Sequence, residues 1–346
     1  MFARCGCFIV PRDVLRRFAH DEDLPEQSRE AFASTEAIEA IWRKLRAAQN
    51  HAIQASLAAQ PKTLMLAAAP AVTVNDCKNT TSIPGTPVPN PGSSSDPTAK
   101  RTFDETTDVA EFYQQCFGRN SIDGHGVTLA SSIHYDVNYN NAYWNGVHMT
   151  YGDGDGQIFI DFTSSNDVIA HELTHGVTQY TAGFVYVNEA GALNESISDV
   201  FGSMFRQWSR KQDTMAADWL IGADIMGPAA IAKGYACLRD LRHPGAAHCM
   251  SPQPDHYSNY RPGGDPHHNS GIPNHAFYRA ATAIGTSSWE EAGQIWYAAL
   301  TSSKATKQMS IKSFARLTRA AARSLFPGQT AIYSAVDDAW NEVGVS

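Results

Sequence analysis

The segment DVIAHELTHGVTQY, Asp167 to Tyr180, constrains this chain more than any other. On a helix each residue turns by about 100°. His171 and His175 then stand about 40° apart and one turn apart on one face, where two imidazoles can grip one metal ion. Glu172 projects to the side of that face, within reach of a water on such an ion. A catalytic zinc takes three protein ligands and keeps one position open, so the chain must bring a third ligand from elsewhere.

The stretch NEAGALNESISDVFG supplies one. Glu195 lies 20 residues after His175 on a second helical pattern. Asp199 follows one turn later on the same face, placed to hydrogen-bond the free nitrogen of a ligand histidine and fix its tautomer.

Composition narrows the setting. The chain has 346 residues, 43% hydrophobic and only 18% charged, a globular mixture long enough for two domains or one domain plus an appended segment. A formal charge of −8 with no long basic run argues against nucleic acid as a partner. No stretch reaches the ~18 consecutive apolar residues of a membrane span. The run Cys5–Val10 is too short for a signal-peptide core and is followed by charges. The run Thr63–Val74 reads as a buried strand or a cleavable linker. Six cysteines, at 5, 7, 77, 116, 237 and 249, form no CxxC pair and are too sparse for a disulfide scaffold.

Along the chain, residues 35–59 carry a helical stripe of Ile38, Ile41, Trp42, Leu45, Ile53 and Leu57, with Thr35 as a candidate N-cap. Residues 82–99 are rich in Pro, Gly and Ser and read as a loop. Between about 100 and 165 the signals are mixed, with alternation around GDGDG suggesting a hairpin there. Helical patterns then cover 167–181, 189–210, 273–285, 289–302, 310–325 and 329–342. A β-rich half followed by a helical half is α+β.

The segment HELTHGVTQYTAGFVYVNEAGALNESISDVFG closely resembles the zinc-site segment of thermolysin-like metalloproteases. HYDVNYNNAYWNGVHMTYGDGDG (134–156) is similar to that family's substrate-edge strand, and DHYS (255–258) and HHNSG (267–271) to its later motifs. The N-terminal CGCFIVPRDVLRRFA resembles the short propeptide of protealysin-like members, although the family's paired prolines are Val10-Pro11 here. The resemblance implies a two-lobed fold with the HExxH helix crossing the cleft. Residues 1–70 would be a propeptide-like segment with no domain of its own, 71–182 an N-terminal catalytic lobe, and 183–346 a helical C-terminal lobe.

It also implies a function and a site. The expected activity is that of a zinc endopeptidase cutting on the amino side of bulky hydrophobic residues, made as a zymogen with a self-cleaved propeptide. A catalytically inactive zinc-binding module and a zinc hydrolase of small molecules are the rivals. One zinc would be held by His171, His175 and Glu195. Glu172 would be the general base, with His267 and Tyr186 as oxyanion donors and Asp199 behind the zinc ligands. Asn141, the backbone of Ala142, and Arg239 would hold the substrate main chain, and Phe159, Phe162, Val168 and Leu238 would line the pocket after the cut. The aspartate that relatives carry five residues before this histidine is Pro262 here, whereas Asp265 lies two residues before it. A Cys5 or Cys7 thiolate is a candidate cap on the zinc. The paired calcium site of many relatives is expected to be absent: its positions are Asp167, Arg206, Asp218, Leu220 and Ala223, of which only Asp167 and Asp218 are acidic. The expected partners are protein and peptide substrates and the chain's own propeptide as inhibitor, with no membrane and no stable oligomer. Export without an ordinary signal peptide is expected, with cytoplasmic residence as the alternative.

Overall fold

Strand Cys7–Phe8 (β1) is the first element of the computed structural model, which describes residues 7–58 and 69–346, with side chains described for 7–42 and 69–346. Helices Arg12–Ala19 (α1) and Glu26–Ala58 (α2) follow. The second extends the expected stripe at its N-terminal end, while the side chains of Leu45, Ile53 and Leu57 lie outside the described residues. Next come strands Val72–Thr80 (β2) and Thr86–Pro87 (β3), helix Pro97–Phe117 (α3), and strands Leu129–Tyr135 (β4), Ala142–Trp144 (β5) and Met149–Tyr151 (β6). The run Thr63–Val74 is described only at its end, where it enters β2.

These strands make one six-stranded sheet in the order β1-β5-β6-β4-β2-β3. The central pairs β2/β4 and β4/β6 are parallel, and the outer pairs are antiparallel. The hairpin between β5 and β6 turns at Asn145–His148, where Asn145 N donates to His148 O at 3.1 Å and Gly146 takes φ +96°. The expected hairpin at GDGDG is therefore displaced. Gly152 instead lets the chain pass close to Tyr139, where a Cβ would lie 2.1 Å from the Tyr139 carbonyl oxygen, and Gly154 passes Phe159, with a Cβ 2.4 Å from its carbonyl oxygen.

Helix α3 begins at the end of the stretch read as a loop (82–99) and occupies the first part of the stretch of mixed signals from about 100, where no helix was expected. Asp96 caps it by accepting from Thr98 N, and Pro97 takes its first position. Its buried face includes Thr98, Thr102 and Thr106. Written partly in threonine, that face leaves no clean apolar stripe to read.

The helical half begins with Asn166–Tyr180 (α4) and Asn188–Arg210 (α5). Strand Leu220–Ile221 (β7), helix Pro228–Ala232 (α6) and strand Arg239–Asp240 (β8) lead to Pro266–Asn269 (α7) and Gly271–Ile284 (α8). Helices Glu291–Leu300 (α9), Ile311–Leu325 (α10) and Thr330–Glu342 (α11) complete the chain. Helix α4 packs against both β5 and α5. Gly202 permits the α4–α5 approach, since a Cβ there would lie 2.8 Å from the Asp167 carbonyl oxygen. That closeness brings the His-bearing face of α4 to the Glu-bearing face of α5.

Among its described residues, the N-terminal segment packs into the core of the rest of the chain. Val14, Leu15, Phe18, Leu24 and Phe32 are buried in the same apolar cluster as α4 and α5. Phe18 packs on Phe32 (5.3 Å between ring centroids), and Phe32 on Phe159 (6.0 Å). Arg17 donates to Met250 O at 2.8 Å, and Lys233 pairs with Asp21 at 3.0 Å.

Candidate active site

His171, His175 and Glu195 converge, with one ligand atom of each within 4.8 Å of the others. The two Nε2 atoms are 3.0 Å apart, and Glu195 oxygens lie 3.5 Å from His171 Nε2 and 3.6 Å from His175 Nε2. Donors on a tetrahedral zinc at ~2.05 Å would be separated by about 3.3 Å, so the three fit one such ion. Their outer nitrogens are already committed. His171 Nδ1 faces Asp199 Oδ1 at 2.9 Å, and His175 Nδ1 faces Asn194 Oδ1 at 2.8 Å and Ser198 Oγ at 3.0 Å. Both Nε2 lone pairs are thereby turned to the common point. The partners of His175 were not foreseen; their one signal is that Asn194 and Ser198, four apart, share a face of α5.

Burial and charge set the protonation of this cluster. Burial pushes His175 down to about 3, favouring the neutral ring that a metal ligand needs. Burial also presses against a charged His171, but the carboxylates of Asp199 and Glu195 outweigh it and hold the ring at about 9. For Asp199 burial is again opposed, here by Arg239 and His171, which bring the carboxyl down to about 2. Glu195 is held well below the usual carboxylate range, with the His267 charge and the hydrogen bond and charge of His171 overcoming burial.

Glu172 differs from every neighbour. It is fully buried, and neither carboxylate oxygen has a hydrogen-bond partner. Burial pushes it up to about 8, with the Glu195 charge adding to the rise against His171. A buried carboxylate without partners is costly. It fits a site whose ion and water would supply what the protein side chains do not.

Tyr186 and His267 lie on the far side of Glu195. The Tyr186 hydroxyl donates to Glu195 Oε1 and lies 3.1 Å from His267 Nε2. His267 Nδ1 is 2.7 Å from Asp265 Oδ1, so Asp265, two residues before it, orients this ring. Arg239 is fully buried. It grips Asp199 through Nε (2.8 Å) and Nη2 (2.7 Å) and is not a surface ion pair. Asn274 donates to the same carboxylate at 2.9 Å.

The N-terminal segment crosses this arrangement. β1 pairs antiparallel with β5, Cys7 opposite Trp144 and Phe8 opposite Tyr143. The Phe8 carbonyl accepts from His267 Nε2 at 2.5 Å. Ile9 N donates to Ala142 O at 3.1 Å, and Ile9 O accepts from Arg239 Nη1 at 2.9 Å. Asn141 accepts from Val10 N (2.9 Å) and donates to Val10 O (3.1 Å), while its amide also reaches the buried Glu39 carboxylate at 2.5 Å. Ile9 is fully buried in the apolar cluster that also contains Phe159, Phe162, Val168 and Leu238. Cys7 is disulfide-bonded, so its sulfur is not the free thiolate that a zinc cap requires; Cys5 lies outside the described residues.

Arg206 joins two carboxylates near β7. Its guanidinium bonds Asp224 at 2.5 Å and Asp218 at 3.2 Å, and Asp224 was not among the expected positions. Asp167 instead accepts from Ser165 Oγ and, at 2.8 Å, from Gly222 N. Leu220 lies in β7 beside this group, and Ala223 follows Gly222.

Comparison with known proteins agrees with this geometry. Residues 72–179 match the family model described as thermolysin metallopeptidase, catalytic domain, and residues 182–345 the one described as thermolysin metallopeptidase, alpha-helical domain. An extracellular metalloprotease of Pectobacterium carotovorum subsp. carotovorum is 46% identical over 244 residues, 68% of this chain and 69% of that protein. Protease PrtS of a Photorhabdus strain is 41% identical over 285 residues, 79% of this chain and 76% of its own. The solved precursor of protealysin, a metalloproteinase from Serratia proteamaculans, superposes with a TM-score of 0.84 at 35% identity, covering 99% of this chain and 100% of its own.

Proposed function

Because this chain belongs to the thermolysin metallopeptidases, we propose that it is a zinc-dependent neutral endopeptidase, made latent by its own N-terminal segment. The observation that carries the reading is the convergence of His171, His175 and Glu195 beside a buried, unpartnered Glu172.

His171, His175 and Glu195 would hold a zinc ion, which would supply a Lewis acid able to acidify a water and polarise a scissile carbonyl. Glu172 takes the proton of the attacking water and passes it to the leaving amine. His267 and Tyr186 donate to the oxygen that gains charge. Asp199 fixes the His171 tautomer. Asn141, Ala142 and Arg239 align the substrate main chain. Phe159, Phe162, Val168 and Leu238 receive a bulky apolar side chain on the amine side of the cut.

Latency rests on the bonds made by Phe8, Ile9 and Val10. Their main chain engages His267, Ala142, Arg239 and Asn141, the groups assigned above to a substrate. Residues 1–70 then act as an inhibitory propeptide on the lobes 71–182 and 183–346, and one cleaved chain works as a monomer. An extracellular place of action is supported by the name of the Pectobacterium relative.

The test is Glu172→Ala. The variant should bind zinc as the wild type does, lose essentially all casein cleavage and stay full length on purification. The wild type should shorten to begin near residues 50–75. Loss of zinc from the variant would make Glu172 a ligand, and equal shortening of both chains would exclude self-processing.

A further inference from the structure

Away from the cleft, Cys237, His248 and Cys249 form a second group of metal-binding side chains, one ligand atom of each within 4.8 Å of the others. They lie where the chain entering β8 meets the segment 248–250. Cys237 and Cys249 face each other in an isolated parallel bridge. Flanking hydrogen bonds, Ala236 N to His248 O and Met250 N to Cys237 O, both 2.9 Å, lock that register. Both thiols are free and buried. The His248 side chain is 38% exposed, which leaves solvent a way in.

The spacing suits a cation. The two sulfurs are 3.9 Å apart. Two thiolates on a tetrahedral zinc, each at ~2.3 Å, stand about 3.8 Å apart. His248 adds a borderline nitrogen ligand, and its Nε2 lies 3.0 Å from Asp240 Oδ2. Asp240 is itself fixed, since its other oxygen accepts from Arg242 N at 2.7 Å and His243 N at 3.0 Å. A held carboxylate behind a ligand imidazole is the usual way a metal site orients its ring.

We propose that Cys237, Cys249 and His248, steadied by Asp240, form a structural site for a thiophilic divalent cation, zinc above all, separate from the HExxH centre. Binding would release the two thiol protons and set two thiolates against the 2+ charge. The site clamps the segment that carries Arg239, which holds the Ile9 carbonyl, and Met250, whose carbonyl holds Arg17. A cation here would stiffen one wall of the cleft from behind.

The experiment uses the full chain loaded with zinc, and separately with cobalt(II). Elemental analysis should find about two zinc ions per wild-type chain and about one in Cys237→Ser/Cys249→Ser. The cobalt-loaded wild type should show a thiolate-to-cobalt charge-transfer band in the near ultraviolet, which the sulfur-free HExxH centre cannot produce. His248→Ala keeps both sulfurs and should hold the second ion roughly 10–100-fold more weakly. One zinc per wild-type chain with no such band overturns the proposal. So does a Cys237–Cys249 disulfide found by mass after alkylation of the unreduced chain.

Discussion

His267 has an oxygen acceptor at each ring nitrogen, Asp265 at Nδ1 and the Phe8 carbonyl at Nε2. Both nitrogens must then carry protons, so the ring is an imidazolium. Burial opposes that charge, but Glu195 and Asp265 overcome it, and the pKa is raised above its ordinary value. A raised histidine donates below its folded pKa and stops donating as pH rises through it. Asp265→Asn removes one of the supporting charges. The alkaline limb of kcat/KM should therefore move to lower pH, with zinc content unchanged; an unmoved limb would remove His267 from the reaction. The convergence of His171, His175 and Glu195 was legible because metal binding demands fixed residue types at fixed helical spacings. Asp265 was not, because a ring can be oriented from any backbone position that reaches it. Asn194 and Ser198 escaped notice for the same reason, since amide and hydroxyl side chains are common on buried helix faces.

Among the elements, β1 is two residues long and gains its hold from the edge it covers. Ile9, just beyond it, is fully buried, so a charge there has no partner and no water. Ile9→Lys should loosen the whole segment, and purified precursor should shorten at least about tenfold faster than wild type, a change worth roughly 1.4 kcal/mol or more in the segment's grip. Precursor that shortens at the wild-type rate would show that the grip lies elsewhere, on Arg17 and Lys233. Helices α8 to α11 were legible almost to their ends, since each shows one apolar face to the core. Helix α3 and the β5–β6 turn were not. Threonine serves α3 as a core residue by returning its hydroxyl to the preceding turn, as Thr102 does to Thr98 O at 2.7 Å. Within GDGDG, Gly152 relieves a close approach to Tyr139 and Gly154 one to Phe159, and the hairpin turn lies earlier, at Asn145–His148.

At the scale of the whole molecule, Arg206 joins α5 to the segment around β7, with Asp224 and Asp218 as partners and the buried Asp167 charge nearby. We expect this cluster to stand in for the paired calcium site. A calcium-selective chelator should barely change Tm, whereas a zinc chelator should abolish activity; a large drop in Tm restored by calcium would reveal a site built otherwise. Burial raises the Asp167 carboxyl while Arg206 restrains the rise. A carboxyl raised in the fold contributes stability below its unfolded pKa and loses it as pH climbs through the folded one. Arg206→Ala should therefore cost about 1–3 kcal/mol near pH 7 and less near pH 4, read as Tm at the two values. The Asp199 carboxylate has a wider reach, because it holds His171 and Arg239 at once. Whatever Arg239 grips is thus heard by the imidazole, and whatever the imidazole grips is heard by the guanidinium. By thermodynamic reciprocity, a main chain seated on Arg239 and a cation seated on His171 tune each other's affinity by the same factor.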